Sequence, residues 1–557
     1  MRALRRESVV LVAVLFGWNL GWAWVVLVRW GLIPADAAAR TLLAAEVFFS
    51  RDPKLSNLGF VRLPLPALLQ LPLVLVPGLW PTGLAGATVS ALAGAAAGAL
   101  INDIARALGW GRSRWLLVAA FALNPAVIYV SASGLTEPVL MVAALGLVRC
   151  FLGWADAEAK GNRRLAVAWL VGLGLSGAVG VLTRYEGWLL GTVMALMVGL
   201  LALKRSGADA AQAAVLVYAA PPAYAVFLWV FFNWLIMGDP LYFALGPYAA
   251  RAYVPAGTEG FDPAAGIRAV VDAAWHLSPL FFFATAGLLA FSLIRWDPVG
   301  LLLAAFWLSV PLFIAFSLVS GQLASIQYCY LTPLIPGTAA LVALGLRGGS
   351  AYVRWRYLVG LLVALLGPST ALVGVLREPM SANSVRVFGE ALIFREGTSL
   401  WTSEREMAQY LTTAGAGPIL TDTAGGVEMV IFFTGEPGRF IVPGDRDFET
   451  VLRDPVGKAR YVLVPAPAGT GRLHRVNQVY PGLYASGAGW ASLEKEVGPY
   501  RLYRVAGPPP PERAITVPPA RGSPAPGWAR PAVLVLIAAG ILVVGAALLR
   551  PRSAAGS

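Results

Sequence analysis

A few short polar segments interrupt long apolar runs in this chain, and they hold the side chains that could do chemistry. In Pro34-Ala35-Asp36-Ala37-Ala38-Ala39-Arg40 an acid stands one helical turn before a base. A Pro-bounded piece, Arg62-Leu63-Pro64-Leu65-Pro66, follows, and then Thr136-Glu137-Pro138 and Thr183-Arg184-Tyr185-Glu186-Gly187-Trp188. Asp239 lies in Gly238-Asp239-Pro240, and Gln322 and Tyr330 sit in a stretch of amides and hydroxyls at 320–333. A carboxylate of this kind can take a proton from a hydroxyl, and a guanidinium donates to a phosphate in a matching fork. Each residue also has a plainer role. Asp36 could cap a helix or pair with Arg40 at i, i+4, worth about 0.3–0.5 kcal/mol when exposed. Glu137 could sit in a first helical turn, favoured there by the dipole. Arg184, Tyr185 and Trp188 could anchor an aromatic belt, Asp239 could cap the turn before Pro240, and Gln322 and Tyr330 could serve a helix terminus.

The rest of the chain decides where these segments sit. Of 557 residues, 58% are hydrophobic and 13% charged. Soluble domains carry about 25% charged residues, so repeated apolar runs of about 20 residues imply a polytopic α-helical membrane protein rather than a barrel. The net charge of +13 then reports cytoplasmic Lys and Arg, not nucleic-acid binding. Cys150 and Cys329 are the only cysteines, and His276 and His474 the only histidines. No disulfide frame, zinc site or His-based metal site follows; a divalent cation held by carboxylates alone stays open.

Helical spans are expected near 8–29, 83–105, 115–132, 138–154, 165–183, 187–203, 212–236, 276–294, 299–319, 328–346, 357–376 and 530–549, about twelve in all. The first is too long for a signal-peptide core and lacks a clean A-x-A-like site, so it reads as retained. The stretch 64–80 is apolar but broken by Pro64, Pro66, Pro72 and Pro77. Counting it as a span would put most basic loops outside; counting it as interfacial or re-entrant keeps them inside, with a cytoplasmic N-terminus. That choice gathers Asp36, Asp52, Arg62, Glu137, Arg184, Glu186 and Asp239 at one membrane face. Charges at helix ends near lipid are costly unless paired, solvated or used.

Residues 380–506 change character. Ser403-Glu404-Arg405-Glu406 reads as a capping box, and strands are expected at 418–421, 439–442, 460–464 and 500–505, which suggests a small α/β domain. The boundaries read as a membrane domain over 1–376, an extracytoplasmic α/β domain over 377–506, a Pro-rich linker over 507–529, and a last membrane helix with its tail over 530–557.

This pattern resembles the GT-C superfamily of polyprenyl-phosphate-dependent glycosyltransferases, nearest to the protein O-mannosyltransferase and lipid A aminoarabinose transferase branch. The likeness covers residues 8 to about 376. It rests on Asp36 after the first helix, the piece Arg62–Pro66, Thr136-Glu137, Arg184-Tyr185-Glu186 and Tyr330-Leu331-Thr332-Pro333-Leu334. Many relatives have a second acid where this chain has Ala37, and many carry Arg where Gln327-Tyr328-Cys329 precede Tyr330. The resemblance implies a polytopic bundle that moves a sugar from a polyprenyl-phosphate donor, within membrane lipid, to an extracytoplasmic acceptor (protein, lipid or glycan). It also implies Asp36 as the general base and inversion at the anomeric carbon. Arg184 and, more weakly, Arg62 would meet the phosphate, with Glu137, Tyr185, Glu186, Asp239, Gln322 and Tyr330 lining the pocket. Two other classes fit part of the pattern: a transporter or flippase, and a non-catalytic scaffold or sensor with the α/β domain as receptor. A transporter would place charges near mid-membrane in related halves, whereas here they cluster at one face.

Overall fold

The computed structural model describes residues 2–254, 262–323, 325–348, 350–381, 383–395, 400–415 and 417–508. Among these, nine helices are long and apolar enough to cross a membrane, and two further pairs are bent at a break, by 67° and 100°. The bent pairs have physical causes. Gly111–Ala122 stops at Asn124, whose Oδ1 accepts from the Ala126 N–H (3.0 Å) and starts Pro125–Ala132 afresh. Pro263–Leu277 turns at Ser278 into Pro279–Ile294, with proline again at the first helical position. The segment 237–275, between the expected spans 212–236 and 276–294, therefore contains a helix of its own, Pro263–Leu277. The expected span 530–549 and most of the linker lie outside the described residues. The stretch 64–80 forms only the ten-residue helix Leu65–Val74, too short to cross.

Small residues let the elements around the polar segments approach closely. Gly134 adopts φ +85°, and a Cβ there would stand 3.2 Å from the Ala87 nitrogen and 3.3 Å from the Ala37 Cβ. The turn 133–136 is thereby pressed against two helices, Leu84–Ala107 and Ala35–Phe49.

The C-terminal unit is built on a five-stranded sheet. Its strands are β1 (Ile419–Leu420), β2 (Phe440–Ile441), β3 (Tyr461–Pro465), β4 (Ala491–Val497) and β5 (Tyr500–Val505), in the order β2-β1-β3-β5-β4. β1 pairs in parallel with β2 and β3, and β5 runs antiparallel to β3 and β4. The four expected strands are present. β4 is a fifth strand beyond these, and it makes the Tyr500–Val505 strand an interior one. As an edge strand rich in charge (Glu494, Lys495, Glu496), β4 lacks the apolar signal of its neighbours. The expected capping box does not form either. The helix begins at Thr402 without a side-chain cap, and Glu404 instead accepts from the Tyr500 hydroxyl at 2.7 Å.

This unit docks firmly on the bundle. Phe49 stacks on Trp80 (6.4 Å between centroids), and Trp80 meets Phe432 edge-on (6.2 Å). The Trp401 indole N–H donates to the Ile33 carbonyl (2.7 Å). Asp52 accepts from Arg446 at 2.9 Å, and Arg51 is buried against Asp445 and Asp447. Asp52 thus serves the domain contact rather than the gathering of charges its sequence position suggested.

Inside the domain, His474 is wholly buried, and its Nε2 accepts from the Asp422 backbone N–H at 3.1 Å. Burial pushes its pKa down to about 3. The unfolded chain therefore takes up a proton near pH 6.5 that the folded domain refuses until about pH 3, and stability falls with pH across that window. At pH 5 the expected loss from this group is about 2 kcal/mol relative to pH 7.5. Thermal melts of wild type and His474→Asn at both pH values check it: the variant should lose that part of the acid sensitivity, although Asp422, Tyr248 and Arg475 surround the site in both.

Candidate active site

Pro34 is extended (φ −65°, ψ 142°) and directs the chain into the helix Ala35–Phe49, with Asp36 in its first turn. The Asp36 side chain does not cap that helix; its backbone N–H donates to Asn383 Oδ1 (2.9 Å). This leaves the carboxylate free for Arg62, whose Nη2 donates to Oδ1 at 3.1 Å. The two side chains are 30% and 32% exposed, so the pair is part-buried and not sealed in the core. The i, i+4 pair with Arg40 does not form. Arg40 lies half-buried and makes no ion pair or hydrogen bond among the described residues, although it feels Asp36, Arg62, Arg184 and Glu137 electrostatically. Burial pushes its pKa down to about 10, against the pull of Asp36, so it stays charged at neutral pH. Burial alone would raise the Asp36 carboxyl, but Arg62, Arg40 and Arg184 together hold it below the usual range.

Behind this pair lies a tight cluster. Arg184 ends the helix Arg163–Thr183. Its Nη1 donates to Glu137 Oε1 (2.7 Å) and Thr136 Oγ1 (3.2 Å), and its Nη2 and Nε donate to Glu186 (2.8 and 3.2 Å). Its guanidinium carbon sits 5.2 Å from the centre of the Tyr330 ring. The side chains of Glu137 and Glu186 are 2% and 10% exposed. The structure thus brings Asp36, Arg62, Glu137, Arg184, Glu186 and Tyr330 together. Glu137, Thr136 and Glu186 engage four of the five N–H donors of Arg184 and leave one Nη2–H, too little for a forked contact with a phosphate. The Tyr185 hydroxyl donates to the Val61 carbonyl (2.7 Å), and its ring stacks on Phe243 (5.6 Å). That tie holds Arg62 against the helix turn that carries Arg184.

Two expected site residues stand apart. Asp239 Oδ1 accepts from the Leu241 N–H (2.8 Å) in its own exposed turn, the capping role a proline-flanked aspartate can take. Gln322 is exposed, and its backbone N–H closes the end of Pro298–Val319 on Ser317. Position 37 also explains itself. Ala37 is buried beneath Gly134, so an acid there would enter the bundle and not the site.

Three contributors were missed in the sequence. In the sequence Arg40 presents itself only as the i, i+4 partner of Asp36. Asn383 gives no signal apart from its polarity, and Glu428 comes from the α/β domain. Glu428 opens the helix Val427–Thr434, which packs on Ala35–Phe49 and places this carboxyl within electrostatic reach of Arg62 and Asp36. Burial raises it to about 7, with Arg62 opposing and Asp36 and Asp422 adding to the rise. Among the described residues no group of three His, Cys, Asp or Glu side chains is placed to hold a metal ion.

No protein-family model matches the chain, and no curated protein matches it in sequence. Solved structures do. ArnT from Cupriavidus metallidurans bound to undecaprenyl phosphate superposes with a TM-score of 0.54, over 90% of this chain and 99% of that one, at 15% identity. The chain has the ArnT fold. The apo state of the same ArnT gives the same TM-score, with 91% and 100% of the two chains covered at 16% identity. The match spans the bundle and reaches into the C-terminal unit, since the described membrane helices end at Val375 and 90% of the chain is covered. The ArnT fold therefore accounts for a multi-pass membrane bundle and an attached sheet domain as one architecture.

Proposed function

We propose that the chain is a membrane glycosyltransferase that takes a sugar from a polyprenyl-phosphate carrier at the end of the bundle bearing the α/β domain. The observation that carries this reading is the partly accessible Asp36–Arg62 pair beside Arg40, whose side chain is unpaired among the described residues, in a fold whose neighbour ArnT binds undecaprenyl phosphate. The orientation that puts this end outside the cytoplasm rests on the basic loops.

The donor phosphate displaces Asp36 from Arg62 and bridges Arg62 and Arg40. Asp36, released, accepts the proton of the acceptor hydroxyl while the acceptor oxygen bonds to the anomeric carbon. The bond from that carbon to the phosphate oxygen breaks, and the lipid phosphate leaves with its charge held by the two guanidiniums. One base on the face opposite the leaving group gives inversion. Arg184 acts behind them by fixing Glu137 and Glu186, and Tyr185 by fixing the Arg62 backbone.

A purified chain supplied with a labelled lipid-linked sugar tests the class of activity. Release of polyprenyl phosphate with label transfer supports the transferase; label crossing a vesicle membrane without bond cleavage would make the chain a transporter. Glu428 adds a pH signature. Above about pH 7 its carboxylate competes with the donor for Arg62; below it the competitor is neutral. A sugar phosphodiester keeps its charge throughout, so the donor KM should fall about fivefold from pH 8 to pH 6. Glu428→Gln should flatten that profile at the lower value. A profile unchanged by the substitution would remove Glu428 from the site.

A further inference from the structure

A cavity of about 410 Å³ opens where the first membrane helix ends. Its polar wall is made by Arg29, the last residue of the span Glu7–Arg29, and by Arg405 of the α/β domain. Trp30, Thr82, Val28 and Phe433 complete much of the rest, and no carboxylate lines it among the described residues. Arg405 is held in place from two sides. Its guanidinium lies 4.0 Å over the Phe433 ring, and its Nη2 donates to the Gly31 carbonyl at 3.4 Å. The acids beside it in sequence are engaged elsewhere: Glu404 accepts from Tyr500 (2.7 Å), and Glu406 meets Lys495 (3.9 Å). Arg29 makes no ion pair or hydrogen bond among the described residues.

Two cations facing one cavity, with no counter-ion among the described residues, repel each other, and an anion between them reverses the sign of that interaction. The cavity wall passes onto lipid-facing surface, since Val28 is 45% and Trp24 54% exposed on the same helix. An occupant with a phosphate at one end and acyl chains at the other satisfies both features. We propose that Arg29 and Arg405 form a binding site for the phosphate of a net-anionic lipid headgroup, separate from the sugar-transfer site. Asp36, Arg40 and Arg62 do not line it, and the proposal does not depend on the transfer chemistry. The bound lipid bridges the first helix to the α/β domain and so reinforces their docking.

The test reconstitutes the full chain in phosphatidylcholine doped with phosphatidylglycerol, moves it to detergent, and weighs the intact protein by native mass spectrometry. Wild type should retain phosphatidylglycerol in preference to phosphatidylcholine. The double variant Arg29→Ala/Arg405→Ala should bind it about thirtyfold more weakly, the loss of two guanidinium–headgroup attractions. Arg29→Lys/Arg405→Lys keeps both charges and should recover most of the retention, which separates loss of the site from loss of the fold. Excess inorganic phosphate should leave the lipid in place; displacement by it would reassign the site to free phosphate and overturn the lipid proposal. Equal retention of the two lipids by wild type, or unchanged phosphatidylglycerol retention in the alanine variant, would overturn it as well.

Discussion

Replacing Asp36 by Asn is expected to lower sugar transfer by about 10²–10⁴-fold while leaving donor binding intact or tighter. The size follows from removing a positioned base. The sign on binding follows from the geometry: Asp36 now occupies Arg62 at 3.1 Å, and an uncharged amide releases that guanidinium for the phosphate. A substitution that merely damaged the fold would weaken both steps together. The two readouts, kcat and the donor Kd, therefore separate loss of the base from loss of the structure. Asn also keeps the backbone N–H bond to Asn383 (2.9 Å), so the first turn of the helix should persist. Turnover at wild-type rate would take Asp36 out of the role of base.

Arg184→Ala is expected to be the most destabilising change in the site. It removes the partner of Glu137 and Glu186 together, both inside the bundle. Leaving a buried charge without its partner costs about 3–5 kcal/mol, and here two are left. Glu137 is the worse case because its Oε2 has no partner among the described residues even in the intact cluster. Thermal unfolding in detergent should show a clearly lowered midpoint. Arg184→Lys should recover only part, since a point-like ammonium lacks the fork that spans two carboxylates and Thr136. A midpoint unchanged by Arg184→Ala would mean that the cluster contributes specificity and not stability.

Much of this site was legible in the chain because it is a membrane protein. Polar residues between apolar runs are few, and the positive-charge rule gathers their helix ends at one face. Asp36, Arg62, Glu137, Arg184, Glu186 and Tyr330 do converge on one another. Their pairing was not legible. The helical spacing of Asp36 and Arg40 suggests a local ion pair, but Tyr185 holds Val61 (2.7 Å) and so brings Arg62 to Asp36 instead. Asp239 and Gln322 looked equivalent to the others because sequence reports the membrane face and not the distance across it. Glu428 lies nearly four hundred residues beyond Asp36 and in another domain, and only the docking of Val427–Thr434 on Ala35–Phe49 brings the two together. The sheet shows the same division. Its apolar interior strands stood out, while the charged edge strand Ala491–Val497 did not.

The most direct test of the proposed site is a structure of this chain with undecaprenyl phosphate bound. The phosphate should lie within hydrogen-bond distance of both Arg40 and Arg62, with Asp36 parted from Arg62 and turned toward open space, and with Arg184 still on Glu137 and Glu186. A phosphate found on Arg184, or between Arg29 and Arg405 with the Asp36–Arg62 pair intact, would contradict the assignment of Asp36, Arg40 and Arg62 as the centre of transfer.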